Sequence, residues 1–127
     1  MGAVLHGANL FEAKMIGADL TDARLDNSNL EGANLSGAKM LRVNLTDARM
    51  MGADLTGTIL TRACLYGAKM IGADLSGADL RDAILTSANL SSANLSGANL
   101  EGSNLFSAYW DDADLSGAIM PDGSTHD

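Results

Sequence analysis

The sequence of 127 residues contains one cysteine, one proline and five aromatic residues. The single cysteine, Cys64, excludes an internal disulfide framework and fits a reducing compartment. With so few aromatic side chains, the hydrophobic 46% of the chain predicts an aliphatic core. No apolar run approaches the roughly 18 residues that a membrane helix needs, so no membrane span is expected. The first residues lack a basic segment followed by an apolar one, so we expect no signal peptide and a cytoplasmic protein.

Basic residues are missing from the C-terminal part of the chain. From Asp82 to Asp127 there are seven acids and no Lys or Arg, whereas residues 1–81 hold nine acids and all eight bases. The net charge of −8 therefore lies almost entirely beyond residue 81. Because such a surface repels phosphate groups, we expect neither direct nucleic-acid binding nor binding to anionic membrane surfaces.

What the sequence does contain throughout is a strict five-residue repeat. Of the 24 positions divisible by five from Leu5 to Met120, 18 are Leu, five are Met and one is Trp110. Of the 24 positions two residues earlier, 20 are Ala. Two side chains five positions apart differ by about 140° in direction around an α-helix, and in a straight strand they point to opposite faces. Neither regular element would therefore collect these leucines on one face.

Within each quintet the small residue and the Leu are two positions apart, so they share one face of a short extended segment. Gly, Asn, Asp and Ser follow them, and these residues favour turns. A turn after every quintet winds the chain into a coil. Among residues two positions after the Leu, one set spaced by 20 is Gly six times out of six, namely Gly17, Gly37, Gly57, Gly77, Gly97 and Gly117. We therefore predict four quintets per coil, about six coils, and a rod about 29 Å long.

This repeat resembles that of the pentapeptide-repeat family, whose pattern is A(D/N)LXX, over residues 3 to about 121. The resemblance implies an all-β protein, a right-handed quadrilateral β-helix with the Leu and the preceding small residue stacked inside. We assign residues 1–121 to this solenoid and residues 122–127 to a polar C-terminal turn or tail. Trp110 departs from the family pattern because it occupies a central Leu position.

The two ends of the predicted rod differ. The repeat begins at Ala3 without a capping helix, and an unpaired strand edge there favours association. We therefore expect end-to-end self-association into a homo-oligomer through the first coil. At the other end, Pro121 cannot donate a backbone hydrogen bond. Trp110 overfills a Leu position, and two roles stay open for it: a plug across the end of the core, or an anchor for a partner.

The last coil also holds the candidate interaction surface, which combines aromatic and acidic residues. Its members are Glu101, Phe106, Tyr109, Trp110, Asp111, Asp112 and Asp114. We expect an unknown protein partner to bind there. A calcium site formed by the three aspartates is the alternative, but their spacing matches neither an EF-hand loop nor the Gly-rich nonapeptide repeat, so no metal is expected.

Residue types that carry catalysis are scarce and far apart. A Cys–His pair needs hydrogen-bond reach, and three predicted coils separate Cys64 from His6, while His126 lies in the tail. Asp54 and Asp74 are 20 residues apart and therefore adjacent on the rod, but they lie on a solvated wall without the cleft of a glycosidase. We expect no catalytic residues and no cofactor.

These observations predict a non-enzymatic rigid scaffold or protein-interaction module, because a convex solenoid lacks the concave pocket of a small-molecule site. The alternative is an acidic DNA mimic that regulates a type II topoisomerase. The resemblance suggests it, since some family members linked to quinolone resistance are acidic rods that occupy the DNA groove of such an enzyme. Those relatives look longer and dimerise through a C-terminal helix, which this sequence lacks.

Overall fold

The computed structural model describes residues 2–127, and these residues repeat one turn and one β-bridge every five positions. Each bridged residue pairs in parallel with the residue 20 positions further on, from Val4–Arg24 to Asn99–Ile119. The predicted coil of 20 residues is therefore present, and a coil of 15 residues is excluded. In this described part of the chain, every strand segment is a single bridged residue. No helix there is long and apolar enough to cross a membrane.

The bridged residues fall into four columns, which we call walls A to D. They comprise every twentieth residue from Val4 to Asn104 (wall A), from Asn9 to Tyr109 (wall B), from Lys14 to Asp114 (wall C) and from Asp19 to Ile119 (wall D). Each wall is held by a repeated pair of backbone hydrogen bonds. On wall C, for example, the Leu55 N–H donates to Asp74 O at 2.7 Å, and the Asp74 N–H donates to Ala53 O at 3.0 Å.

A β-turn at each corner joins one wall to the next. The N–H of the small residue donates to the carbonyl three residues earlier, as Ala38 does to Leu35 at 2.9 Å. Every residue from 7 to 117 whose number ends in 2 or 7 has a positive φ. A single positive φ at the third turn position is typical of a type II turn, which favours Gly or Asn. Gly37, with φ of 67°, shows why the Gly positions predicted the turns.

Eleven residues other than Gly also have a positive φ, and Arg42 (56°) and Arg62 (59°) are among them. This left-handed conformation costs an ordinary residue roughly 1–2 kcal/mol. The next coil stabilises it, because the Arg42 N–H donates to Thr61 O at 3.0 Å and the Arg62 N–H donates to Arg81 O at 2.9 Å. The stacking of coils therefore maintains the turn even where the local residue does not prefer it.

The core consists of the central aliphatic residues and the small residues two positions before them. From Leu25 to Leu100 the central side chains are fully buried, and they include the methionines at 40, 50 and 70. Leu5, Leu10, Leu105 and other central residues near the two ends are only partly buried against this core. The interior is thus aliphatic, as the composition predicted, and it is least protected at both ends.

Three small positions carry a buried hydroxyl group instead of Ala. The Ser28 hydroxyl donates to Leu25 O at 2.6 Å, and the Thr58 hydroxyl donates to Leu55 O at 2.8 Å. The Ser103 hydroxyl has no hydrogen-bond partner within residues 2–127. Two of these three buried hydroxyl groups are therefore hydrogen-bonded to the backbone carbonyl three residues earlier.

Residues 122–127 turn back onto the solenoid. The five-residue repeat ends there, because the next residue with a positive φ is Gly123 (86°), one position later than the repeat would place it. Thr125 then forms an antiparallel bridge with Ile119 of wall D. The segment assigned to a polar turn or tail is thus a turn followed by a short strand segment that covers the wall D edge of the last coil.

Candidate interaction surface

The seven residues predicted as an interaction surface lie in one coil but on different sides of it. Phe106 is at the corner between walls A and B, and Tyr109 is on wall B. Asp111 and Asp112 are at the next corner, and Asp114 is on wall C. The structure therefore brings the residues from 106 to 114 together along two adjacent corners.

Glu101 is one corner away from Phe106 on its other side, at the corner between walls D and A. Its carboxylate approaches the C-terminal turn, with Oε2 only 3.2 Å from where a Cβ on Gly123 would be. Glu101 is therefore a neighbour of the tail in the structure. We name the remaining six residues the end surface: Phe106, Tyr109, Trp110, Asp111, Asp112 and Asp114.

The aromatic side chains of the end surface are strongly exposed. Phe106 is 73% exposed, Tyr109 is 60% exposed and Trp110 is 41% exposed. Trp110 is the one central residue between 5 and 120 that counts as exposed rather than buried or partly buried. Because Trp110 is partly covered and partly accessible, the two roles that the sequence left open, a plug and a partner anchor, both stay open.

Two further apolar residues are exposed nearer the middle of the rod, although Thr86 separates Tyr66 from Phe106 in their corner column. Tyr66 occupies the same corner column as Phe106, 40 residues and two coils earlier, and it is exposed. Ile84 is exposed on wall A between Cys64 and Asn104, with which it forms bridges. The sequence interpretation did not single out Tyr66 and Ile84, although the spacing of 40 between Tyr66 and Phe106 places these two residues in one column.

Two aspartates of this end, Asp114 and Asp122, accept hydrogen bonds that lower their pKa values. The Ser116 hydroxyl and N–H both donate to Asp114 Oδ1, at 2.6 and 2.9 Å, and these bonds lower the pKa of Asp114. In the same way, bonds from the hydroxyl and N–H of Ser124 lower the pKa of Asp122. Every ion pair formed among the described residues lies before residue 82. No ion pair among the described residues therefore involves the acids that follow residue 81.

The residue types considered for catalysis are arranged as structural contacts. His6 Nδ1 lies 2.6 Å from Asp26 Oδ2, and the Cys64 sulfur lies 3.3 Å from the Thr46 hydroxyl oxygen. Asp54 and Asp74 are bridged neighbours, which confirms their predicted adjacency. Within residues 2–127, no group of three or more His, Cys, Asp or Glu is placed to hold a metal ion.

Comparison with known proteins assigns the chain to a family. A family model described as pentapeptide repeats (8 copies) matches residues 3–40, 28–65, 39–77, 63–102 and 83–120. The chain therefore belongs to the pentapeptide-repeat family, as the resemblance of its repeat predicted. Its fold is the right-handed quadrilateral β-helix of that family.

Several solved structures are similar to this chain. HetL, a pentapeptide repeat protein involved in heterocyst differentiation regulation from the cyanobacterium Nostoc sp. strain PCC 7120, is 36% identical, with a TM-score of 0.71. The match covers 99% of this chain and 65% of HetL, so this chain spans less than two thirds of that relative. A pentapeptide repeat protein from the thylakoid lumen of Arabidopsis thaliana is 33% identical, with a TM-score of 0.72. That match covers 78% of this chain and 69% of the Arabidopsis protein.

A more distant structure shares the fold alone. Trypsin-treated QnrB1, a plasmid-mediated fluoroquinolone resistance protein, is 17% identical, with a TM-score of 0.52. The match covers 94% of this chain and 68% of that one. A search of curated proteins finds no significant match.

Proposed function

We propose that this protein is a rigid, non-catalytic module that binds a protein partner through the end surface. The observation that carries the proposal is the exposure of Phe106, Tyr109 and Trp110 side by side in a chain with only five aromatic residues. An exposed apolar patch with a polar border is typical of an interaction site. Aromatic residues are also enriched at the centres of protein interfaces.

The rest of the molecule suits a scaffold. Successive coils are joined on every wall by backbone hydrogen bonds between residues about one coil apart, which favours a stiff rod of about six coils. HetL is described as involved in the regulation of differentiation, and a regulatory role through binding is compatible with this proposal. The end surface would then be one site presented at a defined place on a rigid support.

The experiment is affinity capture from the native host with three baits. The first is the wild-type chain, and the second carries Phe106→Ser, Tyr109→Ser and Trp110→Leu, the last of which restores the usual central residue. The matched control carries Ile59→Ser, at an exposed position on wall D. We expect the wild type and the control to capture the same partner and the triple variant to lose it. Equal capture by a correctly folded triple variant would refute the proposal.

We also propose that copies of this chain associate end to end through the first coil. Leu5, Leu10 and Met15 are only partly buried there. The N–H groups of Asn9 and Lys14 form no backbone hydrogen bond among the described residues, so this edge is open to pairing. Sedimentation velocity over a range of concentrations should show a dimer that Leu10→Lys abolishes. A monomer at every concentration would contradict this part of the proposal.

A second candidate function is the acidic mimic of DNA that inhibits a type II topoisomerase. What favours it is the balance of −7 from residue 82 onward, with seven acids and no Lys or Arg. The fold shared with QnrB1 at 17% identity does not extend to activity. A gyrase supercoiling assay discriminates the two functions. We expect no inhibition at micromolar protein, and inhibition that disappears when the acids are neutralised would favour the mimic instead.

A further inference from the structure

The last coil already accepts an added strand on one of its four sides. On wall D, the Met120 N–H donates to Ser124 O at 2.7 Å, and the Gly117 N–H donates to His126 O at 2.9 Å. The Ala118 carbonyl accepts from the His126 N–H at 2.7 Å. Three backbone groups at this edge are therefore satisfied by an antiparallel segment of the chain itself.

Wall B presents the same three groups ten residues earlier, and there they are free. They are the N–H groups of Ser107 and Trp110 and the carbonyl of Ala108, and none of them forms a hydrogen bond among residues 2–127. The inner side of this wall is complete, because the Tyr109 N–H donates to Ala88 O at 2.9 Å. An open edge of this kind is a template for pairing with another strand.

The surroundings of the wall B edge select the chemistry of the strand. Phe106, Tyr109 and Trp110 are exposed along it, and Asp111 and Asp112 follow at the next corner. Lys and Arg side chains interact favourably both with aromatic faces and with carboxylates. Because no Lys or Arg follows Arg81 in this chain, the complementary strand is a cationic one.

We propose that the wall B edge of the last coil binds an extended, lysine- or arginine-rich peptide segment by antiparallel strand addition, in the register that the tail uses on wall D. Strand addition is a known mode of peptide recognition in which main-chain bonds supply affinity and side-chain contacts supply specificity. The inference rests on the proposed function and names the chemistry of its partner. The tail of a second copy is a poor occupant, because it carries Asp122 and Asp127 and would meet the acids of the end surface.

Trp110 is the single tryptophan of the chain, so its fluorescence reports directly on this edge. The probe is a synthetic peptide of about eight alternating Lys and Val residues, a common strand length. Two matched peptides serve as controls: one with Glu in place of Lys, and one with N-methyl groups on the Lys-Val backbone. The first reverses the charge, and the second removes the backbone donors.

We expect saturable binding of the Lys-Val peptide, with an affinity that falls as salt is added. Each control peptide should bind about tenfold more weakly than the Lys-Val peptide, or weaker still. In amide exchange measured by NMR, the peptide should slow exchange at Ser107 and Trp110. Gly117 and Met120, already bonded to the tail, should be slow with or without peptide.

Equal binding of the N-methylated and unmodified peptides would overturn strand addition, as would unchanged exchange at Ser107 and Trp110. Formation of a dimer that excludes the peptide would overturn it in favour of a second copy. None of these three results affects the capture experiment. If the triple variant still loses the captured partner while strand addition fails, the end surface binds through its side chains, and only this further inference is wrong.

Discussion

At the scale of single residues, the interior depends on one central and one small side chain per quintet. The central residues from Leu25 to Leu100 leave almost no surface in water, and the small residues beside them leave room for the neighbouring wall. Each fully buried Leu contributes roughly 1.5–3 kcal/mol through burial. A change at either position therefore acts on packing first.

Leu55→Ala tests this packing. Leu55 is 0% exposed and its truncation leaves a cavity, so we expect the free energy of unfolding to fall by about 2–5 kcal/mol. Ile59→Ala is the matched control, because Ile59 is exposed on wall D, and it should cost far less. Urea denaturation followed by circular dichroism measures both. A loss under about half a kcal/mol for Leu55→Ala would mean that this side chain is not in the core.

Ser103 and Ser28 form a second pair of tests. The Ser28 hydroxyl donates to Leu25 O, whereas the Ser103 hydroxyl has no partner among the described residues. Ser28→Ala removes a buried hydrogen bond and should lower the free energy of unfolding by about 1 kcal/mol. Ser103→Ala removes an unsatisfied group and should leave stability unchanged or raised. If Ser103→Ala is the more destabilising change, the hydroxyl is bonded in solution.

At the scale of the element, the repeating unit is a bridged residue followed by a turn. The Asp or Asn on each wall stabilises that turn locally, as Asn34 does when its side-chain oxygen accepts from the Ser36 N–H at 3.1 Å. The third turn position needs a positive φ in every quintet from 7 to 117. Gly supplies that conformation at low cost, and stacking imposes it on Arg42 and Arg62.

Gly37 is suited to measuring the cost of this turn. Its φ is 67°, and a Cβ built there meets nothing within 4 Å, so any effect of Gly37→Ala comes from the backbone. We expect a loss of about 1 kcal/mol, and a smaller loss for Gly37→Asn because Asn tolerates the left-handed region. Thermal and chemical denaturation compare the two variants. A neutral alanine variant would show that this turn does not need a positive φ.

At the scale of the whole molecule, charge divides the rod into two parts. All the ion pairs of the described chain lie in the first part, including Arg42 with Asp22 and Arg81 with Asp79. The second part has no Lys or Arg and bears three of the five exposed aromatic residues, Phe106, Tyr109 and Trp110. One end therefore offers apolar area surrounded by negative charge, which is the basis of the proposed partner chemistry.

Acid should weaken the whole fold. Hydrogen bonds from Arg42 lower the pKa of Asp22, those from Arg81 lower the pKa of Asp79, and Ser116 lowers that of Asp114. A lowered folded-state pKa contributes stability that is complete above the unfolded value of about 3.9 and is lost as the pH falls through the folded value. Urea midpoints should thus be level near neutral pH and fall below about pH 5. Midpoints that rise on acidification would contradict these directions.

Much of this architecture could be predicted because the period of five and the position of Gly are local signals. For Leu55 and Ala53, the local spacing is enough to predict that the side chain faces inward, and for Gly57 it is enough to predict a turn. By contrast, Arg42 and Arg62 carry no local sign of a left-handed turn, since their conformation depends on bonds to the next coil.

By itself, the sequence determined which side chains face inward and how many residues complete a coil, because both depend on spacing along the chain. Only the tertiary structure decided that the tail pairs with wall D, that Glu101 approaches the tail, and that the wall B edge is left open. Those outcomes depend on which backbone groups find a partner across coils. Hydrogen bonds between distant residues are set by stacking and have no counterpart in the local pattern.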